Sequence, residues 1–425
     1  MISGNLHSFS KCYFYRNLYS KNMKKLFTLL LLVSFYNFNY SQCDGRYETE
    51  IFSTVSVNTV NYSDVYIDGE HDMDIYTPDG DTETNRPVVV YMHGGSFYAG
   101  DKGSTDCVDF CTSMAKRGYV AISANYRLNQ NPISFIYSQE EQFRTVLKAV
   151  ADIKSVVRYL RKDHSTGNSL GVNPAGIYIG GYSAGAVLSI HMAYIDQISD
   201  LPTAPINVQN LVANIGGTLE GDSGNDGYSS DISAVFSFAG AINDLNWIDA
   251  NDEPLVSVQG DADGTVIYNC APGLGLTTVL NLCGTGEMHP QATSVGVLND
   301  FLTYPGIDHD WGVNGNGNPL FIQGIQFVVD FLYPILPCNG GVNAINELSL
   351  NIEIFPVPAS EIINLKSNHK IKYLNIYNSL GKSVLNSSNL PSNSSLNVAD
   401  FQSGIYLLEF VTENGKSSCK KIIIQ

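Results

Sequence analysis

The segment from Arg86 to His93 reads RPVVVYMH, an apolar run with no polar residue alternating through its centre. A strand with one wet face alternates; one that does not must be covered on both faces, as a parallel strand between two helix layers is. GYVAISANYR (Gly118 to Arg127) and AGIYIGGYS (Ala175 to Ser183) repeat the signature. Between them, Glu140 to Asp163 places Phe143, Val146, Leu147, Val150, Ile153, Val157 and Leu160 on one face of a helix. ISAVFSFAG (Ile232 to Gly240), EPLVSVQG (Glu253 to Gly260) and NDFLTYPG (Asn299 to Gly306) read as further strands, and Asn318 to Leu336 as a closing helix. Strands alternating with helices predict an α/β fold, a mostly parallel sheet covered by helices, with chemistry at the carboxyl ends of its strands.

The chain has 425 residues, enough for two domains. After Pro337 the composition changes. Residues 338–347 read as a linker, and 348–425 as an all-β sandwich of short alternating strands separated by turn residues. At the other end, Lys24 and Lys25 precede an apolar core from Leu26 to Phe35 and a small residue, Ser41. That is the layout of an export signal over residues 1–41 and too short to span a membrane. Met23 is the expected true start, which N-terminal sequencing of the precursor checks. The catalytic domain is expected over 43–337, and the segment rich in Gly, Asn, Asp and Ser from Ser199 to Asp231 as a cap over its site or a surface excursion.

Charge narrows the partners. The net charge is −17, and residues 43–342 hold 35 acidic against 12 basic side chains. Such a surface repels polyphosphate, which excludes nucleic acid as a partner. Asp261-Ala262-Asp263-Gly264 looks like a fragment of a calcium loop, but the later ligands are missing. Export permits disulfides. Cys43, Cys107, Cys111, Cys270, Cys283 and Cys338 lie in the middle domain; Cys270 and Cys283, bracketing a short loop, are the first expected pair.

Within this frame Gly181-Tyr182-Ser183-Ala184-Gly185 follows a predicted strand and opens a predicted helix, the setting of a nucleophile elbow. A serine hydroxyl needs a base, and the base an orienting carboxylate. Asp263 and His309 each follow a late strand, in that order, and are the expected partners. Asp261 is a rival for the acid and His289 for the base, while Asp308 and Asp310 crowd His309. His191, on the helix after Ser183, is expected to be packed or exposed, and His164 at a charged helix end to be a surface residue. HGGSFYAGDK (His93 to Lys102) supplies side-chain-free amides at Gly94 and Gly95, which with the Ala184 amide form an expected oxyanion hole.

With these residues in place, DMDIYTPDG, RPVVVYMHGGSFYAGDK, YVAISANYRL, GVNPAGIYIGGYSAGAV, GDADGTV and GIDHDW together resemble an α/β-hydrolase carboxylesterase. The type is that of hormone-sensitive lipase and the bacterial feruloyl and acetylxylan esterases. Ser96 stands where many relatives have a third glycine, and Gln259 where they often carry His. IFPVPASEIINL, IKYLNIYNSLGKSV and FQSGIYLLEFVTENGKSSCKKIIIQ resemble the sorting domain of the type IX secretion system. Together the resemblances imply a secreted or surface serine esterase without metal or cofactor, acting on a small-molecule or polysaccharide ester, with the secretion machinery as partner to its tail. A lipase or polyester hydrolase, a peptidase of the same fold and an inactive surface-binding hydrolase fold are the competing readings.

Overall fold

The apolar runs become the middle of the sheet. The structure, a computed structural model, describes Cys43, residues 45–339 and most of 352–424. The expected export signal and most of the expected linker lie outside the described residues. Ten strands precede residue 339: β1 (Val55–Asn61), β2 (Asp72–Pro78), β3 (Arg86–Met92), β4 (Val120–Ala124), β5 (Val172–Tyr182), β6 (Ala234–Phe238), β7 (Leu255–Gly260), β8 (Cys270–Pro272), β9 (Asn281–Cys283) and β10 (Asn299–Tyr304). Eight of them form one sheet in the order β1-β2-β4-β3-β5-β6-β7-β10. The β1–β2 and β2–β4 pairs are antiparallel and every pair beyond is parallel. All residues of β3, β4, β6 and β7 are buried, as a strand covered on both faces must be.

Seven helices accompany the sheet: α1 (Thr105–Lys116), α2 (Pro132–Tyr137), α3 (Gln139–Ser165), α4 (Ala184–Tyr194), α5 (Val208–Ala213), α6 (Thr285–Val295) and α7 (Pro319–Leu332). They divide the core in two. Ile153, Val157 and Leu160 of α3 pack with Leu188 of α4 and with Val88 and Val90 of β3 in one cluster. Phe110 of α1 and Val328 of α7 pack with Val89, Tyr91 and Phe236 in the other. Alternate residues of β3 thus feed opposite layers. The closing helix stops at Leu332 and gives way to a 3₁₀ turn over Tyr333–Ile335, because Pro334 lacks the amide to continue it.

Among the described residues there are two disulfides, the expected Cys270–Cys283 pair and Cys43–Cys338. Cys107 and Cys111 are buried free thiols one turn apart on α1. The segment from Ser199 to Asp231 runs over the surface but is anchored in the core. Leu211, Val212 and Ile215 are buried in the core. Fully buried Arg158 of α3 donates to the Gly224 carbonyl at 2.8 Å and pairs with Glu220 at 2.6 Å. Polar residues share the anchoring with these apolar ones, which is why its composition read as loose.

The C-terminal part holds seven antiparallel strands, from β11 (Ile352–Phe355) to β17 (Ser417–Ile424), in a three-stranded and a four-stranded sheet. Ile363, Leu365 and Leu396 from the first share one buried cluster with Leu374, Ile376, Leu408 and Phe410 from the second. Two sheets closing on one apolar layer make the expected sandwich.

Candidate active site

Ser183 sits between the end of β5 and the start of α4 with φ 55° and ψ −118°. That conformation is strained for a residue with a side chain, and strain of this kind is kept where surrounding structure enforces it. Its amide donates to the Phe238 carbonyl at 2.8 Å, and its carbonyl accepts from Val187 at 2.9 Å. Crowding explains the flanking glycines. A Cβ on Gly181 would lie 2.3 Å from the Met92 carbonyl oxygen, and one on Gly185 would lie 2.1 Å from the same atom. Every residue of α4 is buried, so the helix carrying the turn is fixed on all sides.

His309 opens a 3₁₀ turn over His309–Trp311, and Asp308 caps it by accepting the His309 amide at 2.8 Å. Its Nε2 lies 2.8 Å from Ser183 Oγ, and its Nδ1 lies 2.8 Å from Asp263 Oδ2. All three residues are buried. The other Asp263 oxygen, Oδ1, accepts the amides of Thr265 and Val266, both at 2.9 Å, so the carboxylate is held by its own loop. Gln259 braces that loop: its Nε2 donates to the Val266 carbonyl at 2.6 Å, and its Oε1 accepts the Thr285 amide at 2.9 Å. The Tyr182 hydroxyl donates to the His309 carbonyl and fixes the histidine's backbone to β5.

Asp310 lines the cleft beside His309, and the other candidates hold different bonds. Asp261 accepts the Gly306 amide at 2.6 Å, and Asp308 the Gly264 amide at 2.9 Å. These are loop staples. His289 lies in α6, bonded to Asn299 Oδ1 at 2.9 Å and packed on Phe301. His191 is buried with Nδ1 donating to the Val187 carbonyl at 2.7 Å, and His164 is exposed. Among the described residues, no three His, Cys, Asp or Glu are grouped so as to hold a metal ion.

Gly94 and Gly95 face Ser183 across a cleft of about 560 Å³. A Cβ on Gly94 would touch Ser183 Cβ at 3.3 Å, so the backbone passes close to Ser183. Gly95 has φ +113°, and a Cβ there would lie 2.1 Å from the Ala99 carbonyl oxygen. Ser96 and Phe97 follow at φ 55° and 63°, a run of left-handed conformations. Beneath them the His93 ring stacks on Tyr126 at 4.4 Å, and burial lowers its pKa, which favours the neutral ring. The Ala184 amide begins α4, where no carbonyl of the helix can accept it. All three expected oxyanion donors thus lie around Ser183.

Apart from Tyr182 and Val313, the cleft is lined by glycines, Ser96, Ser104, Thr105, Asp106, Thr265, Asp310 and the Ser183–His309 pair. No residue of the Ser199–Asp231 segment lines it, which corrects the expectation of a cap. Asp106, Thr265 and Tyr182 escaped the reading of the sequence. A signal existed only for Asp106, an acid in the first turn of a helix directly after the glycine-rich loop.

Residues 73–275 match the BD-FAE family, and residues 353–425 match the family described as Secretion system C-terminal sorting domain. A stretch of 117 residues is 29% identical to the para-nitrobenzyl esterase of Bacillus subtilis (strain 168), covering 27% of this chain and 22% of that one. The chain therefore spans about a fifth of that relative's length. Among solved structures, a truncated carbohydrate esterase from gut microbiota is 20% identical, with 66% of this chain and 96% of that one covered and a TM-score of 0.48. The native esterase Est2 of the Planctomycetes species Thermogutta terrifontis is 21% identical, with 66% and 92% covered and a TM-score of 0.45.

Proposed function

We propose, from the premise that the chain carries a hormone-sensitive-lipase-like BD-FAE esterase domain and an exported protein's sorting tail, that it is a secreted serine carboxylesterase acting on polysaccharide esters. The observation that carries the mechanism is His309 bridging Ser183 and Asp263 at 2.8 Å on either side. Asp263 accepts Nδ1–H, which leaves Nε2 free to take the hydroxyl proton. Ser183 Oγ then attacks the ester carbonyl. The amides of Gly94, Gly95 and Ala184 receive the developing oxyanion. His309 returns its proton to the leaving alcohol, and an acyl–serine ester remains. Water, activated by the same histidine, releases the acid and restores the serine.

The cleft supports the substrate class. Its walls present hydroxyls, carboxylates and bare backbone, with Tyr182 and Val313 as the larger apolar surfaces. A lipid-ester site buries long acyl chains against apolar walls, so this lining favours a polar, hydroxyl-rich alcohol. The test has two parts. A fluorophosphonate should add to Ser183 alone, mapped by mass spectrometry, and the protein should release acetate from acetylated xylan faster than fatty acid from long-chain acyl esters. Absence of a Ser183 adduct would sink the mechanism. A preference for long acyl chains would sink the substrate class while leaving the mechanism intact.

A further inference from the structure

Asp106 has no role in the acyl-transfer scheme, yet it lines the cleft while being only 5% exposed. It is the second residue of α1, and its Oδ2 accepts the Tyr91 hydroxyl at 3.0 Å. Burial pushes its carboxyl up to about 6; the Tyr91 hydrogen bond and nearby backbone amides pull the other way, and Asp109 on the same helix raises it further. The Tyr91 hydroxyl and the amides of Asp106 and Cys107 bond the carboxylate, and burial still outweighs them. An apolar residue would pack α1 against the sheet without that cost. A group kept there at the wall of a reactive cleft is matched to something that donates hydrogen bonds to it. Asp310, on the same cleft, adds a second carboxylate to the lining. Two acids facing one cavity repel anionic substrates and favour neutral donors.

We propose that Asp106, oriented by Tyr91, accepts a hydrogen bond from a hydroxyl of the substrate's alcohol moiety and so selects esters of polyhydroxylated alcohols. This rests on the Ser183 reading above and names what would give that site its specificity. A charge-assisted hydrogen bond to a buried acceptor is recognised with a large penalty for analogues that lack the hydroxyl. The substitution Asp106→Asn keeps the shape and exchanges an acceptor oxygen for a donor.

The experiment compares two acetyl esters, so that the acyl group is constant: an acetylated xylo-oligosaccharide and p-nitrophenyl acetate. In Asp106→Asn the ratio of their kcat/KM values should fall about 10–100-fold. Tyr91→Phe, which keeps the carboxylate and removes its orienting donor, should lower the same ratio about 3–10-fold, and decides the matter if the first variant does not fold. A ratio within twofold of wild type in the folded variants overturns the proposal. So does a larger loss on acetylcholine than on the oligosaccharide, which would make Asp106 a reader of cations. Fluorophosphonate labelling of wild-type Ser183 separates the two levels: labelled enzyme with an unmoved ratio defeats this inference alone, and unlabelled enzyme defeats the reading beneath it.

Discussion

Among the described residues, two buried groupings of Ser, His and Asp stand out, and they differ in every respect that matters to chemistry. In one, His309 stands between Ser183 and Asp263 and faces a cleft. In the other, Asp152 stands at the centre. It accepts the Ser223 hydroxyl at 2.5 Å and lies 3.3 Å from His71 Nε2, while Arg127 donates to it at 2.9 Å. His71 is held on its other side by Asp68 at 2.6 Å. There the serine donates a hydrogen bond to a carboxylate already paired with arginine, the histidine meets that same carboxylate, and Asp152 is fully buried. The lesson is that residue types do not make a triad. The order serine–histidine–acid, a strained backbone at the serine and an open cavity do.

Four changes would break or sharpen this contrast. The largest effect is expected from Ser183→Ala, which should cut kcat on p-nitrophenyl acetate by ~10⁴-fold or more; a variant retaining a tenth of wild-type turnover would end the assignment. Asp263→Asn should cost ~10³–10⁴-fold with little change in KM, since the histidine then keeps the wrong tautomer. Asp152→Asn should act on the fold instead. Leaving Arg127 and His71 without their shared partner should lower unfolding free energy by about 3–5 kcal/mol in urea titration, and Ser223→Ala, at a residue that does not line the cleft, should change turnover by less than about threefold.

The smallest effects are in pH. Burial lowers the pKa of His71, but Asp152 and Asp68 outweigh it, so the net shift is upward. Its contribution is complete below the unfolded value and lost as pH rises through the folded one. Burial depresses His191 to about 4. The unfolded chain then binds the extra proton between about 6.5 and 4, so stability falls as pH drops through that window. Urea midpoints from pH 4 to 9 should lose their alkaline decline in His71→Gln and part of their acid decline in His191→Gln. Parallel curves for both variants and wild type would refute the linkage.

How much of this could be read beforehand depended on distance along the chain. The elbow was legible because strand, glycines and helix are contiguous from Ala175 to Tyr194. The order of Asp263 and His309 was legible from their places after strands. The Cys43–Cys338 bond was not, since 295 residues separate its ends and six cysteines allow many pairings. Cys107 and Cys111 show why an even count misleads: both are simply packed in the core. Asp152, Arg127 and Ser223 are likewise invisible locally, because an ion pair between a helix and a distant loop leaves no periodic trace. Strands β1 and β2, polar on one side, carried a weaker signal than the buried runs beside them.

The bond between Cys43 and Cys338 makes the polypeptide between them a covalent ring. Both ends of the hydrolase body are thereby tied at a single point, and whatever chain precedes or follows hangs from that knot. By the chain-entropy argument, closing so long a circuit removes on the order of 5 kcal/mol of freedom from the unfolded state. A peptidase trimming either flank outside the ring would meet no loose end leading into the sheet, and a single nick within the ring would leave both fragments joined.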